Sequence, residues 1–257
     1  METSYYNIQK TFLNGITVLD IAEPLVSFDS STPADTVRAV IEEKGYQVAG
    51  IRQEGLVTGY VERGDLGDGP CGNFARPFDD GVVLADTAKL TEVVQALNLR
   101  PWAFVRMMGV VGGLVSRADL LEPPVRMWLF GMITMLELRF LTIIERRFDD
   151  ESWKRYLSPA RLDKALQLQQ ERGRRYQKVS LLECLQFSDK AQIVVRDETL
   201  RQQAGIASRR RGDEVIKSLE RLRNNLAHAQ DIVAFDWETI VGMAEQLERV
   251  IELGGRS

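Results

Sequence analysis

Apolar and polar residues change rhythm halfway along the chain. Before Pro123, short β-branched runs at 15–19, 47–51, 56–61, 102–105 and 110–115 are punctuated by glycine. They are separated by stretches of helical spacing at 36–44 and 90–97, and this alternation predicts a mixed α/β region. Beyond residue 124 the apolar positions recur at heptad-like intervals with few turn signals, which predicts an all-helical region. Helices are expected over 126–148, 159–176 and 181–198, from Gly212-Asp213 to about residue 232, and over 237–253. The expected fold class is α/β followed by all-α, with domains at 1–123 and 124–257 divided at Pro123-Pro124.

The first region repeats itself. Residues 48–52 align with 102–106 at an offset of 54, as do Gly55 with Gly109, Gly59-Tyr60-Val61 with Gly113-Leu114-Val115, and Asp65-Leu66 with Asp119-Leu120. The preceding helices match at 53, Val40-Ile41 onto Val93-Val94. Each copy reads as a helix, a two-stranded hairpin and a second helix opening at the aspartate, so two copies make a pseudo-symmetric domain.

In the helical region, the segment from Asp213 places Val215, Ile216, Leu219, Leu222 and Leu226 on one stripe, the side expected to be buried. His228 lies about 150° from the centre of that stripe, with Asn224 one turn earlier, and so faces away from the core. Arg223 sits at the stripe's edge.

Composition narrows the chemistry. With 257 residues, 44% apolar and 27% charged, the chain can bury a proper core. Its single histidine is far from Cys71 and Cys184, which argues against a zinc centre, and any Ser-His-Asp arrangement would have to use His228. The two distant cysteines, with no secretion signal near Met1, suggest a reducing, cytoplasmic setting. The most apolar run, 125–144, is interrupted by Arg126, Glu137 and Arg139, which leaves too short an uncharged stretch to cross a bilayer; a buried helix is expected, and no membrane partner. Glu137 and Arg139 read as an internal ion pair or as interface contacts. Charge divides unevenly: residues 1–123 carry 10 Lys+Arg and 17 Asp+Glu, whereas 124–257 carry 23 and 20. The second region is the likelier of the two to meet a polyanion, and Arg209-Arg210-Arg211 with Arg172, Arg174, Arg175 and Lys178 could track a phosphate backbone or simply be solvated.

The segment Gly113-Leu114-Val115-Ser116-Arg117-Ala118-Asp119 resembles the ribose-phosphate signature of CBS domains, and the resemblance covers both repeats, roughly 23–121. It implies a Bateman-type regulatory module that takes an adenine nucleotide (AMP, ADP or ATP) as a small-molecule ligand and pairs with a second chain. In that reading Gly113 lets a ligand approach the backbone, Ser116 and a helix N-terminus hold phosphate, and Asp119 accepts from ribose hydroxyls. Asp65 is the first repeat's counterpart, but Glu62 stands where Ser116 stands and would repel phosphate. Only the second position reads as competent. A platform that dimerises and binds nothing is the alternative.

Arg223-Asn224-Asn225-Leu226-Ala227-His228 resembles the signature of HEPN domains: Arg, a polar residue, three further residues, then His. The resemblance covers roughly 125–253, although only these six residues are specific. It implies a HEPN-like helical bundle in a homodimer that cuts single-stranded RNA without a metal. His228 would move the proton between the 2′-hydroxyl and the leaving oxygen, Arg223 would hold the phosphate, and Asn224 would position either. The two resemblances together imply a ribonuclease regulated by an adenine nucleotide. The alternatives are an adaptor whose helical half binds a partner, and a pure RNA-binding module.

Overall fold

The computed structural model describes residues 11, 12, 14–79, 81, 83–175, 177–227, 241, 242 and 244. They form two compact units, one of residues 14–125 and one of residues 1–13 with 126–257.

The first unit holds two four-stranded sheets. One has the order β2 (Ser27–Asp29), β3 (Val48–Gln53), β4 (Leu56–Glu62), β5 (Arg76–Pro77), and the other has β1 (Glu23–Pro24), β8 (Val110–Ser116), β7 (Trp102–Met107), β6 (Val83–Leu84). The repeat seen in the sequence is a repeat of hydrogen bonding. Val48 pairs with Glu62 and Trp102 with Ser116, and every later pair of the two hairpins follows at the offset of 54, including the register shifts after Ile51 and after Val105. Both hairpins close through two residues at positive φ, Glu54-Gly55 and Met108-Gly109, the conformation that the right-handed strand twist demands of a two-residue turn. A helix precedes each hairpin, α1 (Ala34–Lys44) in the first repeat and α2 (Leu90–Leu99) in the second.

The edge strands are exchanged. β1 precedes the first repeat but pairs with β8 of the second, and β5 precedes the second repeat but pairs with β4 of the first. The exchange ties the two copies into one folding unit. Tyr60, Phe78, Trp102 and Phe104 fill the layer between the copies, with ring centroids 4.8–5.8 Å apart and Leu25, Val48 and Val111 around them. Pseudo-symmetry is broken there: Phe104 corresponds to Gly50, and a Cβ on Gly50 would come within 2.9 Å of Val57. A separate core, Val37, Ile41, Ala49, Ile51, Val61 and Cys71 among others, packs α1 on its own sheet.

Three expectations for this unit are corrected. Residues 15–19 contribute only a bridge at Thr17 and a 3-10 helix, Val18–Asp20, rather than a strand. The helix expected to open at each aspartate is a short 3-10 helix that opens before it, Arg63–Asp65, which ends at Asp65, and Ala118–Leu121, which has Asp119 second. The edge strands β1, β2, β5 and β6, two or three residues each, are absent from the sequence reading.

In the second unit α3 (Pro123–Arg147) is apolar on most of its circumference and buries Trp128, Met132, Met135, Leu136 and Ile144. By length and composition it could cross a membrane, with an 18-residue window of mean hydropathy 1.6, and 61% of that window is buried within the protein. There follow α4 (Pro159–Arg174), α5 (Phe187–Arg196), α6 (Glu198–Gln203) and α7 (Arg209–Ala227). The single helix expected over 181–198 is thus a 3-10 turn, Leu182–Cys184, followed by two helices that break at Asp197. That aspartate caps α6 by accepting from the Leu200 N–H at 3.0 Å. Glu137 forms an internal ion pair with buried Lys190 of α5 at 2.8 Å. Lys190 also donates to the Leu185 carbonyl at 2.9 Å.

Helix α7 starts at Arg209, before the Gly212-Asp213 pair read as its beginning. Gly212 is interior to the helix because Val195 of α5 approaches it: a Cβ there would meet the valine at 2.6 Å. Ile216, Leu219 and Leu222 are buried, with Val215 and Leu226 at the margin, as the helical phase predicts. The helix expected over 237–253 lies outside the described residues apart from 241, 242 and 244.

Candidate functional site

At the end of β8, Ser116 donates twice to one oxygen of Asp119, from its backbone N–H at 2.6 Å and from its hydroxyl at 3.0 Å. The hydroxyl oxygen in turn accepts from the Ala118 N–H at 3.2 Å, which closes a three-residue turn. A carboxylate offers about four acceptor positions, and these bonds engage a single oxygen. Arg117 points back, donating from Nε to the Leu97 carbonyl at 3.0 Å. Ser116 and Asp119 are therefore brought together at a strand end, as a rigid hydroxyl-carboxylate pair.

The first repeat solves the same corner with different chemistry. Glu62 takes the position of Ser116 opposite the start of the partner strand, Val48 in one copy and Trp102 in the other. An ionised glutamate has no proton to donate to Asp65, so two acceptors meet where the second repeat has a donor and an acceptor. Arg76, on the exchanged edge strand β5, supplies the missing donors: one guanidinium nitrogen reaches Glu62 at 2.7 Å and the other reaches Asp65 at 2.5 Å. The Asp65 hydrogen bond raises the Arg76 pKa further above its ordinary value, partial burial works against this, and Glu62 adds to the rise. The other oxygen of Asp65, Oδ2, is buried and accepts no hydrogen bond among the described residues.

Arg76, which bridges the two acids, is not among the residues that the sequence motifs single out. Its counterpart is Glu23, since Arg76 stands opposite Tyr60 in β4 and Glu23 opposite Leu114 in β8. The available signal was faint: Glu23-Pro24 and Arg76-Pro77 match at the helix offset of 53.

Gly113 has a packing reason that does not involve a ligand. A Cβ there would press on Met107 Sδ and Val105 Cβ at 3.1 Å, with the Glu23 carbonyl of the edge strand at 3.5 Å. At the equivalent Gly59 the edge strand is tighter, and a Cβ would lie 2.6 Å from the Arg76 carbonyl oxygen. Gly59 is the one of the two that lets an edge strand approach, whereas Gly113 is crowded chiefly by side chains.

In the second unit, Arg223 and Asn224 lie on the exposed side of α7, and His228 lies outside the described residues. Arg209, Arg210 and Arg211 form the first turn of that helix rather than a preceding loop. Arg210 and Arg211 both pair with Glu214, at 3.3 and 3.4 Å, while Arg209 donates to the Arg196 carbonyl at 3.3 Å. Arg172, Arg175, Gln177 and Lys178 line an open cleft of about 830 Å3 at the end of α4. Both cysteines are free and buried, and burial pushes each thiol above its ordinary pKa. Among the described residues no group of three His, Cys, Asp or Glu side chains is placed to hold a metal.

No family model and no curated protein matches the chain. Solved structures resemble it over the repeat region. A structure of CBSX2 in complex with AMP is 19% identical at a TM-score of 0.39, covering 44% of this chain and 98% of that one. The CBS domain of a bacterial CNNM/CorC family Mg2+ transporter in complex with ATP is 17% identical at 0.37, covering 48% and 96%. A putative acetoin utilization protein from Vibrio cholerae is 16% identical at 0.37, covering 41% and 87%.

Proposed function

We propose that the first unit is a regulatory ligand-binding module of the CBS type that takes one adenine nucleotide at Ser116 and Asp119. One observation carries the reading: of two equivalent corners built by one hairpin register, the second is a neutral hydroxyl held against a carboxylate, while the first is bridged by an arginine. Asp119 is the acceptor for ribose hydroxyls, and Ser116 fixes its orientation through two bonds. Gly113 leaves the backbone at the strand end uncovered, beside Met107 and Val105. Calorimetric titration with AMP and ATP tests the assignment. One equivalent bound per chain supports it, and no binding of either rejects it.

For the helical unit we infer an output domain, and the phase of α7 favours a specific one. Asn224 is exposed opposite the buried face of Ile216, Leu219 and Leu222, and Arg223 is exposed at the edge of that face, so both side chains of the segment resembling the HEPN signature are open to solvent. On that reading the protein is a homodimeric, metal-independent endoribonuclease acting on single-stranded RNA, with Arg223 on the phosphate, Asn224 positioning and His228 transferring the proton. Nucleotide regulation then requires that the ligand bind the active and inactive arrangements with different affinity. Single-stranded RNA is to be incubated with the protein in EDTA. Cleavage that His228→Ala abolishes supports the reading, whereas equal cleavage by that variant, or no cleavage with or without nucleotide, leaves a non-catalytic adaptor.

A further inference from the structure

We infer that the first repeat contains a second ligand position of the same kind, closed by the chain's own Arg76, so that the protein binds one nucleotide where its fold provides two corners. The inference rests on the proposed role of Ser116 and Asp119 and asks why that role is not duplicated.

The two corners share their hairpin geometry, pair for pair, through Glu62 and Ser116. Among the side chains in which they differ, two bear on the aspartate, Glu62 for Ser116 and Arg76 for Glu23, and these two differences compensate each other. A serine at the strand end satisfies the aspartate by itself, so nothing is required of the edge strand, which there carries exposed Glu23. A glutamate at the strand end adds a second carboxylate beside Asp65, and the edge strand there carries the arginine that joins the two. Arg76 reaches both acids at once, through different nitrogens; it engages Oδ1 of Asp65 while Oδ2 is buried, so neither oxygen is open to a ligand hydroxyl. Its backbone is held as well: β5 pairs Arg76 with Tyr60 and Pro77 with Gly59, where only a glycine leaves room for the Arg76 carbonyl. A ligand entering this corner would have to displace two charge-assisted hydrogen bonds, the stronger kind, and would meet Glu62 once they were broken. The second corner demands neither.

The exchange of residues between the corners supplies the test. The double substitution Glu62→Ser with Arg76→Glu gives the first corner the residues of the second, and Glu23→Arg with Ser116→Glu does the reverse. Each full-length variant is titrated with AMP by calorimetry, after circular dichroism has shown that its fold is retained. The wild type is expected to bind one equivalent, the first variant two and the second none. Adding Asp65→Ala to the first variant should remove the new equivalent and leave the original one. Two equivalents in the wild type, or one in a folded Glu62→Ser/Arg76→Glu variant, would overturn the inference. No binding by the wild type with one equivalent gained in the first variant would uphold the closed corner while rejecting the assignment of Ser116 and Asp119. No binding by either protein would reject both.

Discussion

Ser116 holds Asp119 by two hydrogen bonds to a single oxygen, one from its backbone and one from its side chain. Only the second depends on residue type. Ser116→Ala removes a hydrogen bond of about 0.5–1.5 kcal/mol, so AMP binding should weaken by roughly twofold to tenfold. Ser116→Glu alone installs the first repeat's acceptor without its arginine and should abolish binding. Titration calorimetry on the two variants checks both, and undiminished binding by Ser116→Glu would contradict the role given to the hydroxyl.

Gly59 and Gly113 occupy one position of the repeat but should respond differently to alanine. At Gly59 the new methyl would meet backbone, the Arg76 carbonyl at 2.6 Å, which can yield only by detaching β5. At Gly113 the tightest neighbours are Met107 Sδ and Val105 Cβ at 3.1 Å, and the methionine can move. Gly59→Ala should destabilise the first unit by about 2–3 kcal/mol and Gly113→Ala by about 1 kcal/mol or less. Hydrogen exchange across residues 56–62 in each variant measures the difference.

How far this architecture was legible in the sequence depends on element length. The hairpins and their helices are long enough to show a period, and Gly55 and Gly109 mark turns that need positive φ. The edge strands are two or three residues long and two of them contain proline, so no alternation can develop. Arg76 was invisible for that reason: its partners are set by an exchange of edges between repeats, a tertiary event. Gly212 misled in the opposite direction, because a glycine that admits Val195 looks in sequence like one at the boundary where a helix begins. Ser116, Asp119 and Asp65 were found by motif, whereas the chemistry separating the two aspartates is a matter of contacts.

Lys190 is buried beneath Glu137 and the Leu185 carbonyl. Lys190→Met leaves both acceptors without their donor, and removing one partner of a buried pair costs about 3–5 kcal/mol. Faster exchange of the α5 amides, Phe187–Arg196, should report this loss. Replacing Glu137 and Lys190 together with Leu and Met should recover most of it, and failure to recover would show that the loss does not come from leaving Glu137 unpaired.

Asp197 links the acid side of the stability profile to the second unit. Burial pushes its carboxyl up, but hydrogen bonds from the Leu200 N–H and the Tyr156 hydroxyl, with the charge of Arg147, outweigh it and hold the carboxyl below its ordinary range. A group depressed in the folded state contributes stability above its unfolded pKa, about 3.9, and loses it as pH falls through the folded value. Denaturation followed between neutral pH and pH 3 should show the wild type losing this contribution only in the acid limb. Asp197→Asn should be less stable at neutral pH and flatter in acid. Parallel profiles would contradict the assignment.

Asp65 and Asp119 are unequal although the backbone around them repeats. Titration of AMP into Asp119→Ala and Asp65→Ala is the most direct test. Asp119→Ala should weaken binding at least tenfold, and Asp65→Ala, which removes a carboxylate with one oxygen on Arg76 and the other buried, should leave it within about twofold of wild type. Equal losses at the two positions, or a larger loss at Asp65, would contradict it.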